Sequence, residues 1–135
     1  MVSLITTDGL NTLLDYTIKT GNVAPAWFVG LKDVGNILLA NTMAAHVAWT
    51  TITPYSNATN PAYTPGAITA GSVSNTGAKA IFNINAPDDI YGAFLTDNSA
   101  VGGATGILFG GGDFAAPRSV LSGDTLNVTI TITIV

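Results

Sequence analysis

The segment Thr125–Val135, TLNVTITITIV, constrains the fold more than any other. Leu126, Val128, Ile130, Ile132 and Ile134 alternate with Asn127, Thr129, Thr131 and Thr133, the two-residue period of a β-strand with one apolar and one hydroxyl-bearing face. As a single strand it would run roughly 35 Å, well beyond the usual ~5–6 residues. No lysine, proline or charge interrupts it. An uncharged edge of that length is a template for pairing with another chain, so something is expected to cover it.

Charge sharpens the expectation. Only 9% of the 135 residues are charged, against about 25% in an ordinary soluble domain. A surface so poor in charge is suited to burial against copies of itself or a partner, because desolvating hydroxyls costs less than desolvating ions. The net charge of −4 and the scattered Lys19, Lys32, Lys79 and Arg118 argue against nucleic acid, which requires clustered cations. No apolar run approaches the ~20 residues that span a bilayer, and MVSLITTDGL lacks the charged flank and apolar centre of a signal peptide. The expectation is a protein made in a bacterial-type cytoplasm and used without export or a membrane.

Along the chain, TTDGLNTLLDYTIKTG predicts a helix within residues 6–21, with Leu10, Leu13, Leu14 and Ile18 as its apolar stripe. Thr7 or Asp8 could cap it and Gly21 could stop it. Val2, Leu4 and Ile5 form an apolar arm, residues 1–5, without an evident local partner. From residue 25 to 135 the pattern is β, with strands in AWFVGLK, WTTITPY, AITAGSVSNTG, AKAIFNINA, DIYGAFLTD, ILFGGGDF and the segment before SGD. ILLANTMAAHVAW is ambiguous, a short helix or an irregular excursion from about Asn41, and SNATNPAYTPG reads as a long loop with a functional or interface role. Seven or eight strands at this spacing predict an all-β antiparallel sandwich in one domain, jelly-roll or immunoglobulin-like.

Chemistry-bearing patterns are sparse. His46 is the only histidine and sits in apolar MAAHVAW, which suits a packed side chain better than a ligand or base. Asp88–Asp89 and Asp97–Asn98 lie at strand ends, where Asx turns explain them better than a cation site. The triglycine Gly110–Gly112 lacks the lysine and the helix of a phosphate loop. There is no cysteine, hence no disulfide or thiolate chemistry, and Asn57 and Asn127 match glycosylation sequons without signs of secretion. No catalytic, metal or cofactor site is expected. Trp27 reads as core, whereas Trp49, Tyr55 and Tyr63 are candidates for surface recognition.

Asn11–Asp15 (NTLLD), Trp27–Leu31 (WFVGL), Gly92–Asn98, Gly102–Gly110 and Pro117–Leu126 (PRSVLSGDTL) occur in the order found in a group of small tailed-phage virion proteins, which the chain resembles. It departs from the group between residues 38 and 66. Among such proteins, the jelly-roll cement proteins laid over the capsid lattice, as in a Bordetella phage, are the most similar. The resemblance implies a decoration protein of the phage head that binds itself, as dimer or trimer, and the major capsid protein, with no enzymatic residues. The expected interface comprises Val2, Leu4, Ile5, Thr129, Thr131, Thr133, Tyr55 and Tyr63. The alternative is a tail-fibre or baseplate module that recognises host glycan through exposed aromatics between Trp49 and Tyr63. A small hydrolase finds no supporting constellation.

Overall fold

The computed structural model of the chain describes residues 2–19 and 21–134. It is an all-β, antiparallel, sandwich-like fold with one short helix. In chain order the elements are β1 (Val2–Ile5), α1 (Thr7–Thr17), β2 (Phe28–Lys32), β3 (Thr51–Ile52), β4 (Ser72–Ser74), β5 (Ala80–Asn83), β6 (Asp88–Thr96), β7 (Leu108–Val120), β8 (Thr125–Val128) and β9 (Thr131–Thr133). Five strands form a sheet in the order β1-β7-β6-β2-β3, while β4-β9 and β5-β8 form two-stranded ribbons.

Alternation along β2 and β6 sorts side chains to the two faces of the sheet. Val29, Leu31, Ile90, Ala93 and Leu95 pack on one side with Ala80, Phe82, Val128 and Ile130 of the ribbons, making the main core. On the opposite face Phe94 packs with Ile37, Met43, Trp49 and Leu108, so the irregular stretch after β2 serves as the second cover. Phe94 is the register partner of Gly30, and a Cβ at Gly30 would overlap its ring. Glycine is therefore required in β2 where the aromatic ring lies across the neighbouring strand.

The second face also holds a buried charge. Lys32 is fully buried and pairs with Asp113 of β7, whose side chain is 46% exposed. Gly92 of β6 is the register partner of both residues, so the lysine stem spans a strand that presents no side chain. Its Nζ also donates to the Asp33 carbonyl at 2.9 Å.

The long terminal strand expected at Thr125–Val135 is not continuous. Residues 125–128 pair with β5, residues 131–133 pair with β4, and the ladder breaks at Thr129–Ile130. The buried amide of Asn75 bridges the break: its Nδ2 donates to the Val128 carbonyl (3.1 Å) and its Oδ1 accepts from the Ile130 N–H (2.7 Å). A side-chain amide thus stands in for a peptide group of the partner strand. Asn57 does the same at the outer edge of β5, donating to Ile81 O (3.0 Å) and accepting from Asn83 N (2.9 Å). β4 and β5 thus cover one edge of the terminal segment from within the chain itself. Asn75→Leu should strand the Val128 carbonyl and the Ile130 N–H in the core and cost about 2–4 kcal/mol. Urea unfolding measures this, and a loss under 1 kcal/mol would contradict the bridging role.

The expected N-terminal arm is also a strand. β1 pairs with β7, Leu4 opposite Gly111 and Ile5 opposite Gly110. The helix begins one residue earlier than expected: Thr6 is the cap, its Oγ1 accepting from Gly9 N at 3.0 Å. The apolar stripe is corrected more substantially. Only Leu13 packs against the main core, while Leu10, Leu14 and Ile18 are exposed. The helix instead buries Gly9 and Thr12, because α1 lies so close to β7 that a Cβ at Gly9 would overlap the Phe109 carbonyl.

β7 continues through Pro117, although proline has no N–H to give to a ladder. Between the pairs Ile90–Arg118 and Gly92–Asp113 the register shifts, so Pro117 lies in a bulge, a place in a strand that tolerates a missing N–H.

Candidate interface surface

The loop after β3 is built on buried amides rather than on exposed rings. Asn60, buried, accepts from the Tyr55 hydroxyl at 2.7 Å and donates to the carbonyls of Asn98 (3.2 Å) and Ala100 (3.0 Å). Tyr55 stacks edge-on against Phe82, and the Tyr63 hydroxyl donates to Ile130 O at 3.2 Å. Tyr55 and Tyr63 are 4% and 7% exposed and Trp49 is 3% exposed, so the expected interface roles of the two tyrosines and the recognition role of the 49–63 stretch are corrected to core roles. Prolines and asparagines around them gave a loop-like pattern, whereas the asparagines pin that loop inward.

Burial pushes the Tyr55 phenol up to about 12 and also raises Tyr63. Because the folded state holds the Tyr55 proton more tightly than the unfolded state, its stabilisation is complete below pH 10 and is lost as pH rises from 10 towards 12. The expected outcome is alkaline destabilisation of about 2 kcal/mol across that window. Tyr55→Phe should flatten it in a pH series of thermal melts; an unchanged slope would count against burial of that hydroxyl.

The remaining chemical groups are occupied structurally. His46 stacks on Trp49 with centroids 4.0 Å apart, and its Nδ1 lies 3.0 Å from the Trp49 carbonyl. Trp49 Nε1 donates to Asn41 Oδ1 at 3.0 Å. Asn98 accepts from Ala100 N (2.8 Å), the Asx turn expected there, whereas Asp97 accepts from the more distant Ile107 N (2.7 Å). The triglycine lies inside β7, between β1 and β6. Among the described residues no group of three His, Cys, Asp or Glu could hold a metal ion. No helix there is long and apolar enough to cross a membrane.

Four of the expected interface residues do come together. Leu4 and Ile5 of β1 and Thr131 and Thr133 of β9 line one open hollow of about 220 Å³, with Leu95 and Phe109 in its floor. Thr129 is half-buried beside the break, and the side chain of Val2 lies outside the described part. A larger, mainly apolar cleft of about 540 Å³, which shares Leu95, Phe109 and Ile132 with that hollow, runs between α1 and the β4-β9 ribbon, lined by Leu13, Tyr16, Trp27, Ile68 and Ile134 among others. The sequence gives no sign of this cleft because its walls come from six separate stretches of the chain. Nor does it signal the outward turn of the helix: Leu14 and Ile18 are 59% and 74% exposed, and Ile68 is 77% exposed.

Charge does little to offset this apolar exposure. Lys32 is sequestered with Asp113 and Lys19 pairs with Asp15 at 2.7 Å. Comparison with protein-family models, with curated proteins and with solved structures gives no match.

Proposed function

We propose that the protein is a structural component of a phage virion, a jelly-roll-like decoration protein that attaches to the outside of the head and stabilises the capsid lattice. The observation that carries this reading is a surface with few charges and many large exposed apolar side chains, among them Leu14, Ile18, Val23, Val47, Ile68 and Leu121. Such a surface gains by association, and a specific interface of about 1,600 Å² can be drawn from it. The mode of action is mechanical: many copies held on a fixed lattice raise each other's effective affinity, and the chain resembles virion proteins of this kind in the order of its motifs. The glycan-binding alternative asked for exposed aromatics between Trp49 and Tyr63, and its three rings are buried.

The test is co-sedimentation of the purified protein with capsids that lack it. Saturable binding that raises the capsid melting temperature is expected. Absence of binding at tens of micromolar would overturn the reading and direct attention to tail structures.

A further inference from the structure

The antiparallel ladder fixes which main-chain groups of β9 are used. Ile134 N–H donates to the Gly71 carbonyl at 3.0 Å, and Ile130 N–H points to Asn75 on that same side. By the alternation of such ladders, Ile130, Ile132 and Ile134 turn their peptide groups towards β4. Thr131 and Thr133 turn theirs the other way, to the outer edge, where they have no main-chain partner among the described residues. That edge borders the 220 Å³ hollow rather than packed side chains. It carries neither charge, proline nor bulge, the usual guards of a free edge.

We infer that β9 pairs antiparallel with β9 of a second copy across a two-fold axis at Ile132. The occupant follows from the segment itself: Ile130-Thr131-Ile132-Thr133-Ile134 reads identically in both directions, so a two-fold contact centred on Ile132 sets every residue opposite one of its own kind. The free groups are in the matching places. With the axis at Ile132, Thr131 of each copy faces Thr133 of the other, and each such pair exchanges both of its hydrogen bonds. Ile132 meets Ile132 as the close, non-hydrogen-bonded pair. The threonines, both exposed, form like-with-like cross-strand pairs on the outer face. The two β4-β9 ribbons become one four-stranded sheet, and the hollow beside Leu4 and Ile5 gives the incoming strand its room. The inference deepens the self-association part of the proposed function and stands apart from its capsid part.

The chain has no cysteine, so single cysteines report the register. Opposed residues of a non-hydrogen-bonded pair are about 4.5 Å apart at Cα, within the range a disulfide bridges, whereas Thr131 is displaced from its own copy by two residues. Ile132→Cys should oxidise to a covalent dimer at least tenfold more efficiently than Thr131→Cys, read on non-reducing gels. Thr131→Pro removes an outward N–H without touching the β4 ladder; by light scattering it should be a monomer with an unchanged circular dichroism spectrum, against a dimer for the parent. A monomeric parent at tens of micromolar, or equal cross-linking at residues 131 and 132, overturns the inference. Capsid binding is scored separately: bound capsids without a dimer sink the pairing alone, and a dimer without bound capsids sinks the decoration reading alone.

Discussion

Gly111→Ala should leave little folded protein at 37 °C. Gly111 sits mid-sheet between Leu4 of β1 and Phe94 of β6. A Cβ there would overlap the Ala93 carbonyl oxygen, stand 2.7 Å from Phe94 Cα and 2.8 Å from the Ile37 side chain. Two of those three obstacles are backbone of a central strand, held by hydrogen bonds on both sides, so neither can withdraw without opening the sheet. Overpacking usually costs 1–3 kcal/mol where side chains can repack; here about 4 kcal/mol or more is expected, a large share of a typical domain's stability. Gly77→Ala is the control, since nothing lies within 4 Å of its added Cβ, and it should change stability by less than about 0.5 kcal/mol. Urea titrations of the two variants decide the matter, and similar midpoints would refute the packing argument.

The second large effect is an asymmetry within one ion pair. Lys32 has no exposure while Asp113 is 46% exposed. Removing the carboxylate in Asp113→Ala leaves a buried ammonium with only the Asp33 carbonyl as acceptor, at an expected cost of about 3 kcal/mol. Removing the ammonium in Lys32→Met leaves a carboxylate that water can solvate and supplies an apolar side chain of similar length, so the cost should stay under about 1 kcal/mol. The double variant should resemble Lys32→Met, because a buried pair replaced by apolar groups is often neutral. Equal costs for the two single variants in thermal melts would show that the pair is not buried as described.

These sites explain why parts of the molecule were legible in the sequence and others were not. Strand-forming segments announced themselves: Ala80, Phe82 and Ile84 alternate in burial as their spacing requires, and the all-β antiparallel class followed from such runs. The face of the terminal segment was equally readable, with Val128 and Ile130 buried and Thr131 and Thr133 exposed. What periodicity could not show was that a distant asparagine divides that segment into two strands with different partners. The helix misled for a related reason. Its leucines mark a stripe, but close packing on β7 selects Gly9 and Thr12, and a glycine contact leaves no hydrophobic signal. Tyr55 and Tyr63 lie among loop-like neighbours whose composition suggests the surface, although the amide of Asn60 draws that loop inward. Of the expected interface, the part on β1 and β9 meets at one hollow, which strand order rather than composition brings about.

The pairing of β1 with β7 has a consequence in time. Thr6 holds its partners on β7 through hydrogen bonds that span 102 and 103 residues, so β1 and the cap of α1 cannot take their final places in the sheet until the glycine-rich strand has been made. At a synthesis rate of about 5–20 residues per second, the nascent β1-α1 unit waits on the order of 5–20 s with its apolar side chains unshielded. Closure over so long a loop also places the protein among slow-folding β topologies. The wait therefore favours premature contact between unfinished chains before β7 is available to cover β1.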